Sequence, residues 1–407
     1  MTAWDLRRAE AHLLSLELFG MRFGLERMRR VLTALGSPQD SYRAIHVVGT
    51  NGKSSTARMA AAVLEAHGLR TGAYLSPHLT TFAERIRVGD RDLEPAAFGA
   101  AIQRAAAAAA KVDRTLSGGE RVTQFELLTA AALDELARRG VEVAVVEAGL
   151  GGRWDATNVL DAPVVVLTNV GLEHTRWLGP TVEDIAREKL AVVRPHATLV
   201  LGDERPEVEA LARATGARTV RPPALDVPLP GYQRVNFAAA ATAAEALLGR
   251  LDAANVAAAA ARAQVPGRLH VVARAPLTLF DGAHNPSGVA ALAQALPDAV
   301  GARPVVAVVS ILDDKDAAGM LRVLLPRCVG AIFTASANPR ALPPATLASL
   351  AAQLGFTGAA EVELDARSAV ERARELAGPD GAVVATGSIY LVADLLSPSG
   401  ARRASAL

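Results

Sequence analysis

Residues 46–56 read HVVGTNGKSST. An apolar run, a turn with two glycines, and Gly52-Lys53-Ser54-Ser55 ahead of an alanine-rich segment spell strand, loop, helix. Glycines in such a loop let backbone N–H groups approach phosphate oxygens, and the following helix adds its positive end. In the segment Gly49-Thr50-Asn51-Gly52-Lys53-Ser54-Ser55, Lys53 is placed to neutralise β- and γ-phosphate charge. A hydroxyl of Ser54 or Ser55 is placed to reach Mg²⁺. The strict phosphate-loop spacing asks for a further glycine at position 47, where Val47 stands. The plainer reading is an ordinary strand–turn–helix with an exposed lysine, so the rest of the chain has to decide.

The 407 residues suggest two or three domains. Apolar residues make up 51% and aromatics 4%, so the core must be alanine, valine and leucine, which suits helices packed on a parallel sheet. With 43 basic and 42 acidic residues, no global field recruits nucleic acid or an anionic membrane. The lone Cys328 excludes an internal disulfide and a cysteine-based zinc site, and reads as a small buried hydrophobe. Residues 1–20 are charged and amphipathic, without the apolar core of a signal peptide, and no run reaches membrane-spanning length. A soluble cytoplasmic protein is expected.

Short β-rich runs alternate with longer helical ones. Strands are expected at 44–48, 143–147, 163–168 and 197–201, then at 276–280, 304–310, 330–334 and 382–386. Helices are expected at 54–67, 124–139, 181–192, 232–249 and 286–296, and the alanine-rich 101–111 also reads as helix. The alternation predicts an α/β protein with parallel, doubly wound sheets. A proline-rich connector covers 221–231. A Pro-Gly break at 264–269, after which the βα rhythm restarts, places the expected boundary between a first domain, 1–266, and a smaller second domain, 267–407.

Further motifs sit past strand ends, where open parallel sheets bind ligands. In YLSPHLTTFAERIRV (74–88), Pro77 sets the directions of Ser76 and His78. Ser76 is either a candidate metal ligand or a capping residue of a surface turn. In VAVVEAGLGGRWDATN (143–158) an apolar strand delivers Glu147 into a glycine-rich loop; a carboxylate there suits Mg–nucleotide chemistry, against an Asx turn at Asp155 or Asn158. His174 follows the next strand as a candidate ligand or a satisfied loop histidine. Lys189 lies on the following helix, the common fate of which is a solvated face. In FDGAHNPSG (280–288), Asp281 suits ribose hydroxyls and His284 phosphate or base, while Asn285 and Pro286 read as a helix start. Arg268 is a candidate nucleotide contact or a solvated linker charge. Asn236, in YQRVN, reads a nucleobase edge or merely sits in a first helical turn, and SILDDKD (310–316) is a charged turn.

Taken in order, GLERMRRVLTALGSP, HVVGTNGKSST, YLSPHLTTFAERI, TQFELLTAAALDEL, EAGLGGRWDATN, EHTRWLGPTVEDIAREK, YQRVN, VPGRLH, DGAHNP, DDKD and TGSIYLVAD resemble the landmarks of the folylpolyglutamate synthase/dihydrofolate synthase family of Mur-type ligases. The resemblance implies a P-loop domain followed by a Rossmann-like domain, ATP and Mg²⁺ as cofactors, and an acyl-phosphate route that adds L-glutamate to dihydropteroate or to folates. It implies Ser76, Glu147 and His174 as magnesium ligands and Lys189 as a metal-bridging carbamate. Thr50 to Ser55 become the triphosphate loop, and Asn236, Arg268 and Asp281, with His284 nearby, the nucleotide contacts. Lys53, Glu147, His174 and Lys189 form the catalytic set, and Thr123, Phe125, Glu126 and Arg153 the substrate positions. A monomer is implied, with small-molecule partners and no nucleic acid or membrane.

The chain departs from the family in reading Gly-Lys-Ser-Ser, which is closer to the cell-wall Mur ligases, and in carrying Glu173 before the histidine. After Lys189 it reads Leu-Ala-Val, and VVR (192–194) stands where a second lysine is usual. The competing readings are a monofunctional folylpolyglutamate synthase, a cell-wall ligase, and a nucleotide switch without ligase chemistry. The last leaves GLGGRWDATN and DGAHNP without a purpose.

Overall fold

The computed structural model describes residues 3–16 and 24–397; residues 1, 2 and 17–20 of the amino-terminal stretch read above lie outside them. Eight strands form the first sheet: β1 (Arg43–Val48), β2 (Thr71–Tyr74), β3 (Ile86–Val88), β4 (Arg91–Asp92), β5 (Val143–Glu147), β6 (Val164–Leu167), β7 (Thr198–Leu201) and β8 (Arg218–Val220). Six form the second: β9 (His270–Arg274), β10 (Leu277–Phe280), β11 (Val305–Val309), β12 (Gly330–Phe333), β13 (Ala359–Val362) and β14 (Ala382–Thr386). Their orders are β4-β3-β2-β5-β1-β6-β7-β8 and β13-β12-β11-β14-β10-β9.

The chain forms two compact units among these residues. The first holds the eight-stranded sheet and Val235–Ala263; the second holds Pro228–Arg234 and the chain from Gln264 onward. The helix Tyr232–Leu248 thus starts in one unit and continues in the other.

The central strands are parallel, as β-branched runs covered on both faces require: every residue of β5 and β6, and all of β1 past Arg43, is buried. The edges differ from the expected purely parallel sheets. β3 pairs antiparallel with β2 and β4, and β9 with β10. The β3–β4 link is the two-residue turn Gly89-Asp90, too short for the crossover that a parallel pair needs.

The helix Lys53–Ala66 follows β1 and buries Thr56, Met59, Ala60, Val63 and Leu64, one stripe at helical spacing. Each larger apolar side chain in it contributes about 2 kcal/mol by burial. Among the described residues, acidic groups enter the core with partners. Asp134 and Glu135, on helix Gln124–Arg138, meet Arg104 at 2.7 and 2.6 Å. Cys328 packs at the margin of the second core, and burial pushes its thiol up to about 12.

His46, on β1, is enclosed, with Nε2 2.8 Å from Thr157 Oγ1. Burial first, and the Arg194 charge second, lower its pKa to about 3. An unfolded histidine titrates near 6.5. The unfolded chain therefore binds a proton from roughly pH 6.5 downward that the folded chain refuses until near pH 3, so stability falls across that window. By pH 5 the loss from this group is about 2 kcal/mol. Denaturant titrations at pH 7 and pH 5 should show His46→Gln losing about that much less than wild type between the two; an equal loss in both proteins refutes the assignment.

Candidate active site

The adjacent parallel strands β5, β1 and β6 end at one sheet edge, Val47 opposite Glu147 and Val48 opposite Leu167. The loop after β1 turns into helix Lys53–Ala66 through Gly49 (φ +151°) and Gly52 (φ +83°). A Cβ on Gly52 would lie 2.4 Å from Asn236 Oδ1, so the loop needs glycine there both for its backbone and for the approach of Asn236. Gly52 caps the helix without a side-chain hydrogen bond, and the first intrahelical bond is Thr56 N to Gly52 O at 2.9 Å. The opening N–H groups thus meet no intrahelical acceptor, the arrangement that binds phosphate oxygens.

A segment past β6 pins this loop. Thr50 N donates to Asn169 O and Asn51 N to Asn169 Oδ1, both at 2.9 Å. Asn169 Nδ2 and Thr168 Oγ1 donate to Asn51 O at 3.1 and 2.7 Å, and Gly171 N donates to Thr50 Oγ1 at 2.8 Å. Lys53 Nζ lies back over the loop, donating to Thr50 O at 3.1 Å.

Ser54 Oγ donates to Glu147 Oε1 at 3.0 Å, and Ser76 N donates to Glu147 Oε2 at 3.0 Å. Ser55 is 2% exposed, whereas Ser54 is half-buried and on the carboxylate; of the two serines left open by the sequence, the geometry puts Ser54 beside Glu147. Among the described residues no group of three or more His, Cys, Asp or Glu side chains forms a metal cage. One carboxylate with a serine hydroxyl fits magnesium, which keeps waters and takes nucleotide oxygens.

His174 and Lys189 line a pocket with Gly49, Thr50, Lys53, Gly149, Gly151 and Glu173. His174 has left-handed backbone (φ +53°), starts the short helix Thr175–Leu178, and stands 4.0 Å from Glu173 through Nε2. Lys189 is not on a solvated face. It is 4% exposed and donates through Nζ to Gly49 O at 2.8 Å. Burial, and then the Lys53 charge, lower its pKa to about 7, against Glu173 and Asp155, which raise it. A neutral amine is therefore well populated at neutral pH.

The glycine-rich loop after β5 is held by Asp155, which accepts from Leu150 N at 2.8 Å and Thr157 N at 3.0 Å, the Asx turn anticipated in the sequence. Arg153 pairs with Glu188 at 2.8 Å. The Phe125 ring covers the loop so closely that a Cβ on Gly149 would come within 2.5 Å of it. Thr123 and Glu126 form a capping box at the start of Gln124–Arg138, and Glu126 also meets buried Arg27 at 3.1 Å. Asn169, Thr168, Arg27 and His46 were not singled out by the sequence. Each acts on a residue 99 or more positions away, which no local pattern records.

Arg268, Asp281 and His284 lie in the second unit. Asp281 accepts from Leu269 N at 2.8 Å, from Ala283 N at 2.9 Å and from the Tyr232 hydroxyl. Arg268 packs over Gly282, and His284 Nδ1 is 2.8 Å from Gly282 O. Asn285 Oδ1 caps helix Pro286–Val300 by accepting from Gly288 N at 2.7 Å.

A glycine loop opening a helix, an acidic strand end and a buried lysine thus meet in the first unit, and a second α/β unit follows, the organisation of the Mur-type ATP-dependent ligases that the comparisons with known proteins identify. The profile of the Mur ligase middle domain matches residues 47–223, and that of the Mur ligase glutamate ligase domain matches residues 267–389. The dihydrofolate synthase/folylpolyglutamate synthase of Mycobacterium tuberculosis is 34% identical over 90% of this chain and 88% of its own. The structure of M. tuberculosis folylpolyglutamate synthase complexed with ADP superposes with a TM-score of 0.88 at 33% identity, covering 96% of this chain and 97% of that one. The bifunctional Yersinia pestis enzyme complexed with AMPPNP and Mn ion gives 0.85 at 30% identity, with the same coverage. The chain belongs to the dihydrofolate synthase/folylpolyglutamate synthase family.

Proposed function

We propose that this enzyme uses ATP to join L-glutamate to dihydropteroate and to the γ-carboxylate of folates. The observation that carries the reading, within the family, is the pocket that sets Lys53 and Lys189 beside the uncapped start of helix Lys53–Ala66. A carboxylate resists attack by an amine, so the acceptor first takes the γ-phosphoryl group and ADP leaves. The free electron pair of the glutamate amine then attacks the acyl carbon, phosphate departs, and the amine gives up its proton. In the first step the N–H groups of the phosphate loop and Lys53 meet charge on the transferring oxygens. Bound Mg²⁺ supplies further neutralisation of that charge. Ser54 and Glu147 are the residues to hold it, with Ser76 fixing the carboxylate through its N–H. Glu147→Gln keeps the hydrogen bond from Ser76 but loses the charge; the Mg²⁺ concentration for half-maximal rate should rise tenfold or more, and an unchanged requirement removes Glu147 from the metal site.

The paired test follows labelled L-glutamate into product with ATP and Mg²⁺, once with dihydropteroate and once with a tetrahydrofolate. Label in both tubes is expected. Label in one alone makes the enzyme monofunctional, and label in neither, with nucleotide still bound, overturns the substrate assignment. Among the described residues no helix is long and apolar enough to cross a membrane. The same reading takes the enzyme to be a cytoplasmic monomer, which light scattering at the single-chain mass checks.

A further inference from the structure

A buried line of hydrogen bonds runs from β1 to the glycine-rich loop. Asp155 is 6% exposed, His46 1% and Thr157 0%. The Asp155 carboxylate accepts from Leu150 N, from Thr157 N and from the Thr157 hydroxyl. A carboxylate can only accept, so the Thr157 hydrogen is committed to it. Thr157 Oγ1 is then left to accept from His46 Nε2 at 2.8 Å, which places the imidazole proton on Nε2. A second tie holds the outgoing arm of the loop: Arg194 donates to Asn158 Oδ1 at 3.0 Å, and Asn158 Nδ2 to Arg153 O at 2.9 Å.

The two loops that line the pocket share one support, helix Val182–Leu190, through Lys189 to Gly49 O and Glu188 to Arg153, and each has further anchors of its own. The phosphate loop hangs on Asn169 and Thr168, through Thr50 and Asn51. The glycine-rich loop hangs on Asp155, and through it on Thr157 and His46. His46 sits on β1 only a few residues before the phosphate loop, yet its hydrogen bond serves the other loop.

We propose that His46, Thr157 and Asp155 form a positioning relay that sets loop 148–152 against the pocket of Lys53, His174 and Lys189, and so governs turnover of the acceptor carboxylate rather than the hold on nucleotide. The clause on the acceptor rests on the proposed function; the setting of the loop does not. His46 stays neutral throughout the physiological range, its pKa lowered to about 3 by burial and Arg194, so the relay keeps its donor at any working pH.

The test uses four variants of the full chain: His46→Leu and Thr157→Val, which break the relay, and His46→Gln and Thr157→Ser, which keep a donor or hydroxyl in place. Three quantities are read: amide hydrogen exchange of the peptide covering 148–152, the Kd of Mg²⁺–AMPPNP, and kcat/KM for the folate acceptor. The breaking variants should speed exchange in that peptide at least tenfold and lower acceptor kcat/KM at least tenfold, with the nucleotide Kd within twofold of wild type. The conservative pair should restore both. Unchanged exchange, or nucleotide binding that falls in parallel with turnover, overturns the relay, because a merely destabilised fold loses both together. If His46→Leu fails to fold, Thr157→Val decides. A wild-type enzyme that incorporates no glutamate overturns the substrate reading alone, and the exchange result still judges the relay.

Discussion

Lys53→Ala should lower kcat/KM for ATP-dependent glutamate addition by about a thousandfold, with a melting temperature close to that of wild type. The reason for the large kinetic effect is position. Lys53 is the first residue of the helix that follows β1, and it lines the pocket beside the helix N–H groups. Removing a fixed positive charge from oxygens that gain charge in the transition state costs several kcal/mol of barrier. The small effect on folding has an equally direct cause. The ammonium is half-buried, and its bond to Thr50 O at 3.1 Å is worth about 1 kcal/mol net. The variant also removes the second-largest influence that lowers the Lys189 pKa, so Lys189 becomes more basic in it. Steady-state kinetics, nucleotide binding and a thermal melt on one preparation suffice. A rate within tenfold of wild type refutes the phosphate-loop assignment.

The second large effect is expected at Lys189. We propose that this lysine works as a carbamate, a carboxylate on the lysine stem. Its support is a buried amine at the pocket wall, neutral enough near pH 7 to take up carbon dioxide. Lys189→Ala should lose about a thousandfold in kcat. The truncation leaves room in a buried site, so acetate or propionate at millimolar levels should return part of the activity, and should do nothing for Lys53→Ala. Exhaustive removal of bicarbonate should slow the wild type reversibly. If the alanine variant folds and neither effect appears, Lys189 acts as a plain amine that braces Gly49 O.

Much of this was legible because it is local. β1, β5 and β6 show as short valine-rich runs, since strands buried on both faces must be apolar at every position. The helix start at Asn285-Pro286 shows because a cap and its proline are neighbours. The edge hairpin β3–β4 was missed because β4 is two exposed charged residues and β3, Ile86-Arg87-Val88, is too short for its alternation to show. β9 was missed because most of its residues are exposed, which leaves no burial pattern to write into the sequence.

The sequence by itself determined the α/β alternation, the glycine loop before Lys53, the acidic strand end at Glu147 and the ordered motifs that carry the resemblance to the family. All of these depend on residue types at short, regular spacing. Only the tertiary structure decided that Ser54 rather than Ser55 meets Glu147, that Lys189 is buried against Gly49, and that Asn169 braces the phosphate loop while His46 braces the other loop. Those pairings join residues 93 to 140 positions apart. The parallel crossovers of the sheet bring such residues together, and burial there lowers the pKa of Lys189 to about 7 and that of His46 to about 3.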